Sequence, residues 1–277
     1  MSYAPRMLLH GVDFSGADGG GLAKIRVVVR DLDRPGDPVR SEGRFDRRSL
    51  LRRILGGEGC AAASPQQAAS GPGVEPVEVW RIDAPFGLPL ATMVEHDLPA
   101  SAPEAWVASA RWMRDFGSPR AWRSGLRAVS RREPRRVCDE AFRTPMAPMN
   151  LRVFKQTWTL IGEVLLPLAE AGVRIEPVWR GDGGAAPRVV VCEGCPASVL
   201  TSMGLAPRGY KGGGEPPRAK RSEILKRLGR GALRVPPALQ SEAIADDEGD
   251  LLDAILLTCD PFQAVPPAEA LVEGWVY

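Results

Sequence analysis

Three apolar runs in this chain each end on an acidic residue, and that repetition constrains the fold more than any other feature. MLLHGVDF at 7–14 carries Asp13, VEVWRID at 77–83 stops at Asp83, and RVVVCEG carries Glu193 behind an unbroken apolar stretch. Short apolar runs of this kind read as buried strands, and open α/β sheets place ligands at the carboxyl ends of their strands. KIRVVVR at 24–30 follows the glycine-rich SGADGGGLAK and reads as the strand returning from a hairpin, with Gly19–Gly21 in its turn. A third strand is expected around 38–44. Asp46 then stands where an N-cap belongs, ahead of a helix with Leu50, Leu51, Ile54 and Leu55 on one face. The stretch 56–75, rich in Gly, Ala, Ser, Pro and Gln, is expected to be a surface loop.

Between 86 and 150 the character changes. Trp106, Trp112 and Trp122 are interleaved with arginines from Arg111 to Arg136, and acids are sparse. This reads as a helical insertion with a basic face. Its arginines, Arg131 and Arg132 among them, would track a phosphate backbone while the tryptophans stack on bases. The alternative is that the tryptophans form the core of a helical cap. A long apolar helix follows at 151–172, then short strands near 173–178 and 188–193. Loops and short helices are expected over 196–245, a last helix over about 249–260, and EGWVY as an edge strand. The whole, 1–277, fits one α/β domain.

No apolar run approaches the roughly 20 residues that span a bilayer. The start runs straight into a strand with nothing like a cleavable signal. Five cysteines, an odd number, fit reduced thiols better than a disulfide framework. A cytoplasmic protein is expected. The net charge of +2 is too small to argue for a nucleic-acid partner by itself.

The acids carry the chemistry. In GDLLDAILLT, Asp250 and Asp253 lie three apart and share a helical face. Leu251, Leu252, Ile255 and Leu256 must face the core, so Asp253 sits in an apolar segment. A buried carboxylate is costly unless it is paired or coordinated. Several converging carboxylates repel one another, and hard divalent cations such as Mg²⁺ or Mn²⁺ relieve that repulsion. Each acid also has a plainer role open to it. A lone Asp at a strand end is more often a turn or cap residue. Asp246, Asp247, Glu248 and Asp250 suit a helix N-terminus through its dipole. Lys211, with Arg218, Lys220 and Arg221, reads as a phosphate-contacting loop, and surface solubility explains the same charges. The Cys192–Cys195 CxxC lacks a second ligand pair and reads as structural. His10 and His96 have no supporting nucleophile pattern.

GVDFSGA, RIDAPFGLP, CDEAFRTP at 138–145, FKQT at 154–157, CEGCP at 192–196, GYKG with Arg218 and Arg221, and GDLLDAILLT with EGWVY resemble, in this order, the DUF429 family. That resemblance implies an RNase H-like mixed sheet flanked by helices and metal-dependent phosphodiester hydrolysis on a nucleic acid. By position it implies Asp13, Asp83, Asp250 and Asp253 as catalytic metal ligands, Glu193 as a further metal-binding acid, and Lys155, Lys211, Arg218 and Arg221 as substrate-binding residues. Two other readings stay open. An actin- or sugar-kinase-like ATP-binding protein also has a first strand ending in Asp before a glycine-rich turn, but no second glycine-rich phosphate hairpin is visible. The other is an RNase H-like binding protein without turnover.

Overall fold

The acid-terminated runs are strands of one sheet in the computed structural model, which describes residues 6–19, 23–56, 76–101, 104–181, 187–231 and 233–277. The strands are β1 (Met7–Asp13), β2 (Ile25–Asp31), β3 (Arg40–Phe45), β4 (Val77–Asp83), β5 (Arg174–Glu176) and β6 (Val189–Glu193). Their spatial order is β3-β2-β1-β4-β6-β5. β2 runs antiparallel to β1 and β3, whereas β1, β4, β6 and β5 are parallel. A sheet with helices on both faces buries both sides of its inner strands, which is why β2 is buried at every position.

The helices are α1 (Arg47–Ile54), α2 (Leu90–Glu95), α3 (Glu104–Asp115), α4 (Pro119–Val129), α5 (Val137–Ala141), α6 (Phe154–Leu160), α7 (Leu166–Glu170), α8 (Pro196–Ser202), α9 (Glu215–Gly229), α10 (Pro237–Ala245), α11 (Asp250–Leu256) and α12 (Ala270–Glu273). A π-helical turn, Ile161–Leu165, joins α6 to α7, so 154–170 is one continuous helical run. Asp46 caps α1 as its sequence implies, accepting from the Ser49 backbone N–H at 2.6 Å.

Val12, Ile25, Val27, Trp80, Ile82 and Val191 on one sheet face share a core with α1, α3, α4 and the 154–170 run. Val28, on the opposite face, shares a second core with α8, α9, α10 and α11. Trp106 and Trp122 belong to the first core, 1% and 0% exposed. Trp106 Nε1 donates to the Phe86 carbonyl at 2.6 Å. Residues 86–150 therefore cover the sheet, and these two rings cannot stack on bases. Trp112 is half-buried against Phe116 and His96.

Three expectations along the chain need correcting. The region 196–245 contains the 15-residue helix α9, which the sequence hides behind Pro216 and Pro217. Prolines are tolerated there because the first-turn N–H groups have no helical partner. EGWVY does not form an edge strand: Val276 makes a single parallel bridge to Glu193, and Trp275 and Val276 are buried. The last helix stops at Leu256, short of 260. The loop expected over 56–75 lies, after Gly56, outside the described residues, as do Gly20 and Gly21. No helix among the described residues is long and apolar enough to cross a membrane.

Candidate metal centre

β1 and β4 are adjacent and parallel, and their register pairs Asp13 with Asp83 at the last position of each strand. The third acid arrives from α11 because β1 carries Gly11. A Cβ there would lie 2.2 Å from the Ala254 carbonyl oxygen, so the helix backbone rests directly on the strand and Asp253 comes to its end. One carboxylate oxygen each from Asp13, Asp83 and Asp253 lie within 4.8 Å of one another. All three line a cleft of about 860 Å³.

The charge of Lys211 acts on all three acids, but only Asp253 is in contact with it. Burial, then the charges of Asp250 and Asp253, pushes the Asp13 carboxyl well above the usual carboxylate range. Burial, followed by Asp253, pushes Asp83 up to about 8. Burial also raises Asp253, although Lys211 and Tyr210 oppose the rise. Asp13 and Asp83 accept no side-chain hydrogen bond and form no ion pair among the described residues. Asp253 is the opposite case. The Tyr210 hydroxyl donates to its Oδ1 at 2.8 Å, and Lys211 Nζ lies 2.6 Å from its Oδ2.

Asp250 opens α11, half-buried, with its own carboxyl pushed up to about 6, mainly by burial. Its Oδ1 is 4.0 Å from Lys211 Nζ. It is not one of the three converging acids, and its place in the first turn is what the helix dipole favours.

Glu193 has another task than holding a metal. Arg136 Nη1 and Nη2 donate to its two oxygens at 2.7 Å each, and the Phe86 backbone N–H donates to Oε2 at 2.9 Å. Arg136 also binds Asp139, so this buried group ties β6 to the helical layer. Arg221, expected to bind substrate, is buried among internal partners. Fully buried, it donates to the carbonyls of Tyr210 at 2.7 Å, Gly212 at 3.1 Å and Ile244 at 2.9 Å, and to Asp247 at 3.1 Å. It thereby holds the backbone on both sides of Lys211. Arg218 is exposed on α9 and does not line the cleft.

Arg131 and Arg132 are exposed but also lie outside the cleft lining, and Arg132 lines a separate small pocket with His96 and Glu133. Other arginines of this region are engaged internally: Arg123 and Arg127 with Glu133, Arg111 with Glu170, and Arg135 with the Asp139 carbonyl. The cations that do line the cleft are Lys24, Arg136, Arg152, Lys155, Arg208 and Lys211. Lys155 pairs with exposed Asp18 at 3.0 Å.

Several supports of the centre have only a faint mark in the sequence. Gln156 Nε2 donates to the Phe14 carbonyl at 2.7 Å, and Arg47 donates to the Ala17 carbonyl at 2.7 Å and to Glu163 at 2.6 Å. Together they fix the turn that follows Asp13. FKQT points at Gln156, while nothing in the sequence marks Arg47 apart from other surface-type arginines. Cys192 and Cys195 are buried free thiols, each pushed up to about 12 by burial.

Comparison of the chain with models of known families, with curated proteins and with solved structures gave no match.

Proposed function

We propose that this chain is a metal-dependent phosphodiesterase of RNase H-like fold that acts on nucleic acid. The observation that carries the proposal is the convergence of Asp13, Asp83 and Asp253 within 4.8 Å, with the first two lacking any hydrogen-bonding partner among the described residues. Carboxylates grouped this closely, Asp13 and Asp253 buried and Asp83 half-buried, repel one another, and a cation or protons between them relieve that repulsion. The sheet order and the antiparallel second strand are in keeping with an RNase H-like arrangement, as is the resemblance of the motifs to the DUF429 family.

Asp13, Asp83 and Asp253 would hold Mg²⁺ or Mn²⁺, the hard cations that carboxylate oxygens suit. When bound, such an ion polarises a phosphoryl oxygen and neutralises charge that builds up during in-line displacement. In that displacement a water oxygen bonds to phosphorus and the bond from phosphorus to the leaving ester oxygen breaks. Arg152 and Arg208, which line the cleft, would pair with flanking phosphates, as would Lys155 once released from Asp18. Lys211 and Tyr210 keep Asp253 oriented.

Calorimetric titration with Mn²⁺, Mg²⁺ and ATP tests this reading, together with cleavage of single- and double-stranded oligonucleotides. Metal binding that Asp13→Asn and Asp83→Asn each abolish, with metal-dependent cleavage, is expected. Absence of Mn²⁺ binding by the wild-type chain sinks the proposal, and ATP binding without it favours the kinase-like alternative.

A further inference from the structure

The four acids at this end of the sheet are not equivalent, and the difference lies in what already touches them. Asp13 and Asp83 form an open edge with no hydrogen-bond donor among the described residues, and Lys211 reaches them through its charge alone. Asp253 and Asp250 form an edge that is already occupied: Lys211 Nζ is 2.6 Å from Asp253 Oδ2 and 4.0 Å from Asp250 Oδ1. The Tyr210 hydroxyl takes the other Asp253 oxygen.

Lys211 is built into this position. Arg221 grips the carbonyls of the residues before and after it, and the Gly212 N–H donates to the Asp247 carbonyl at 2.6 Å. Its stem runs over the residue preceding α11, Gly249, where a Cβ would stand 3.2 Å from Lys211 Cγ. Gly249 has φ +77°, so a side chain there would be strained as well as crowded.

Resting on the metal reading above, the geometry points to Lys211 as a resident cation that excludes a second divalent ion. Its ammonium holds the Asp250–Asp253 edge, and a single metal ion is confined to the Asp13–Asp83 edge with support from Asp253. Two-metal centres need a second set of ligands about 3.5–4 Å from the first ion, and the acids that would supply it are the two that Lys211 holds. An ammonium is also a compact, strongly hydrated point charge on a flexible stem, well suited to stand where an ion would.

The test is stoichiometry, read by Mn²⁺ calorimetry and by the electron paramagnetic resonance spectrum of the bound ion. The wild-type chain should bind one Mn²⁺ with the spectrum of an isolated ion, and Lys211→Arg should do the same. Lys211→Met should bind two, with the spectrum of a coupled pair, and Lys211→Gln provides a second neutral variant should the first fail to fold. Adding Asp250→Asn to either neutral variant should return the count to one. Two ions in the wild-type chain, one ion in the neutral variants, or two ions surviving Asp250→Asn would each overturn the assignment. No ion at all in the wild-type chain would instead overturn the metal reading on which it rests.

Discussion

Asp13 and Asp83 are paired residue for residue at the ends of two adjacent parallel strands, and neither carboxylate meets a donor among the described residues. A strand pair can hold two acids this way only at a cost, because burial raises the proton affinity of both, and neighbouring carboxylates, Asp250 and Asp253 for Asp13 and Asp253 for Asp83, raise it further. Cation binding and protonation are therefore alternative ways of relieving the same repulsion.

Stability of the metal-free protein should consequently fall with rising pH. The Asp83 carboxyl, near 3.8 when unfolded, stands at about 8 in the folded chain, so the folded state binds more protons between those values. The stabilisation is complete below about pH 4 and lost as pH rises through 8. Melting in chelator from pH 5 to 8.5 should show Tm dropping by several degrees, at about 2–4 °C per kcal/mol for a chain of this size. Mg²⁺ or Mn²⁺ should remove the drop, and Asp83→Asn should flatten it. Identical Tm profiles with and without metal would contradict the argument.

Gly11→Ala should detach the third acid from the other two. The new methyl would collide with the Ala254 carbonyl, which is backbone and cannot rotate away. Overpacking of this kind costs about 1–3 kcal/mol. Because the strain is relieved by shifting α11, Mn²⁺ affinity should fall at least about tenfold, a loss of about 1.4 kcal/mol. Urea midpoints and Mn²⁺ titration measure the two effects separately. Wild-type values for both would show that the close approach does not set the position of Asp253.

How much of this is legible in the sequence follows from how local each signal is. Asp13 and Asp83 announce themselves because an acid at the end of an apolar run is visible within seven residues. Asp253 is visible because leucines flank it at core spacing. Glu193 carries the same local signature, yet its partner Arg136 is distant in sequence, so its ion pair leaves no trace in the pattern. Arg221 is similar: an arginine in a basic helix reads as solvated until the fold brings carbonyls from 210, 212 and 244 around it. Trp106 and Trp122 can be assigned to core or surface only once the sheet they cover is in place.

Glu193→Ala should separate structural from metal-binding acids. It leaves the buried Arg136 with Asp139 as its remaining ion-pair partner and the Glu273 carbonyl as a further acceptor. Removing one partner of a buried ion pair costs about 3–5 kcal/mol. Chemical denaturation should show that loss, while Mn²⁺ stoichiometry stays at the wild-type value, and Glu193→Gln offers a milder version. A missing equivalent of Mn²⁺ with folding preserved would restore Glu193 as a ligand.

Polyanion binding should follow the cleft rather than the arginine-rich helices. Arg152 and Arg208 line the cleft, are exposed and have no ion-pair partner among the described residues. Reversing both to Glu should weaken binding of single-stranded oligonucleotides irrespective of sequence. It should also flatten the salt dependence by about 0.7 in slope for each phosphate no longer neutralised. Arg131→Glu with Arg132→Glu should leave affinity and slope unchanged. The reverse pattern would move the substrate to the other side of the molecule.

The two lips of the cleft are fastened in different ways. Behind Asp13, residues 14–18 are tied by Arg47, Gln156 and Lys155 to α1 and the 154–170 helix, and Gly16 lies against the Gln156 backbone. Across from it, Pro207–Gly209 has no backbone hydrogen bond among the described residues and sits between Gly204 and Gly212, both at positive φ. One wall is thus cross-linked to two helices, and the other is fastened chiefly at its end, where Arg221 holds the Tyr210 carbonyl. Changes of length or sequence at 207–209 would therefore alter the width of the cleft while leaving the register that sets Asp13 beside Asp83 to the sheet.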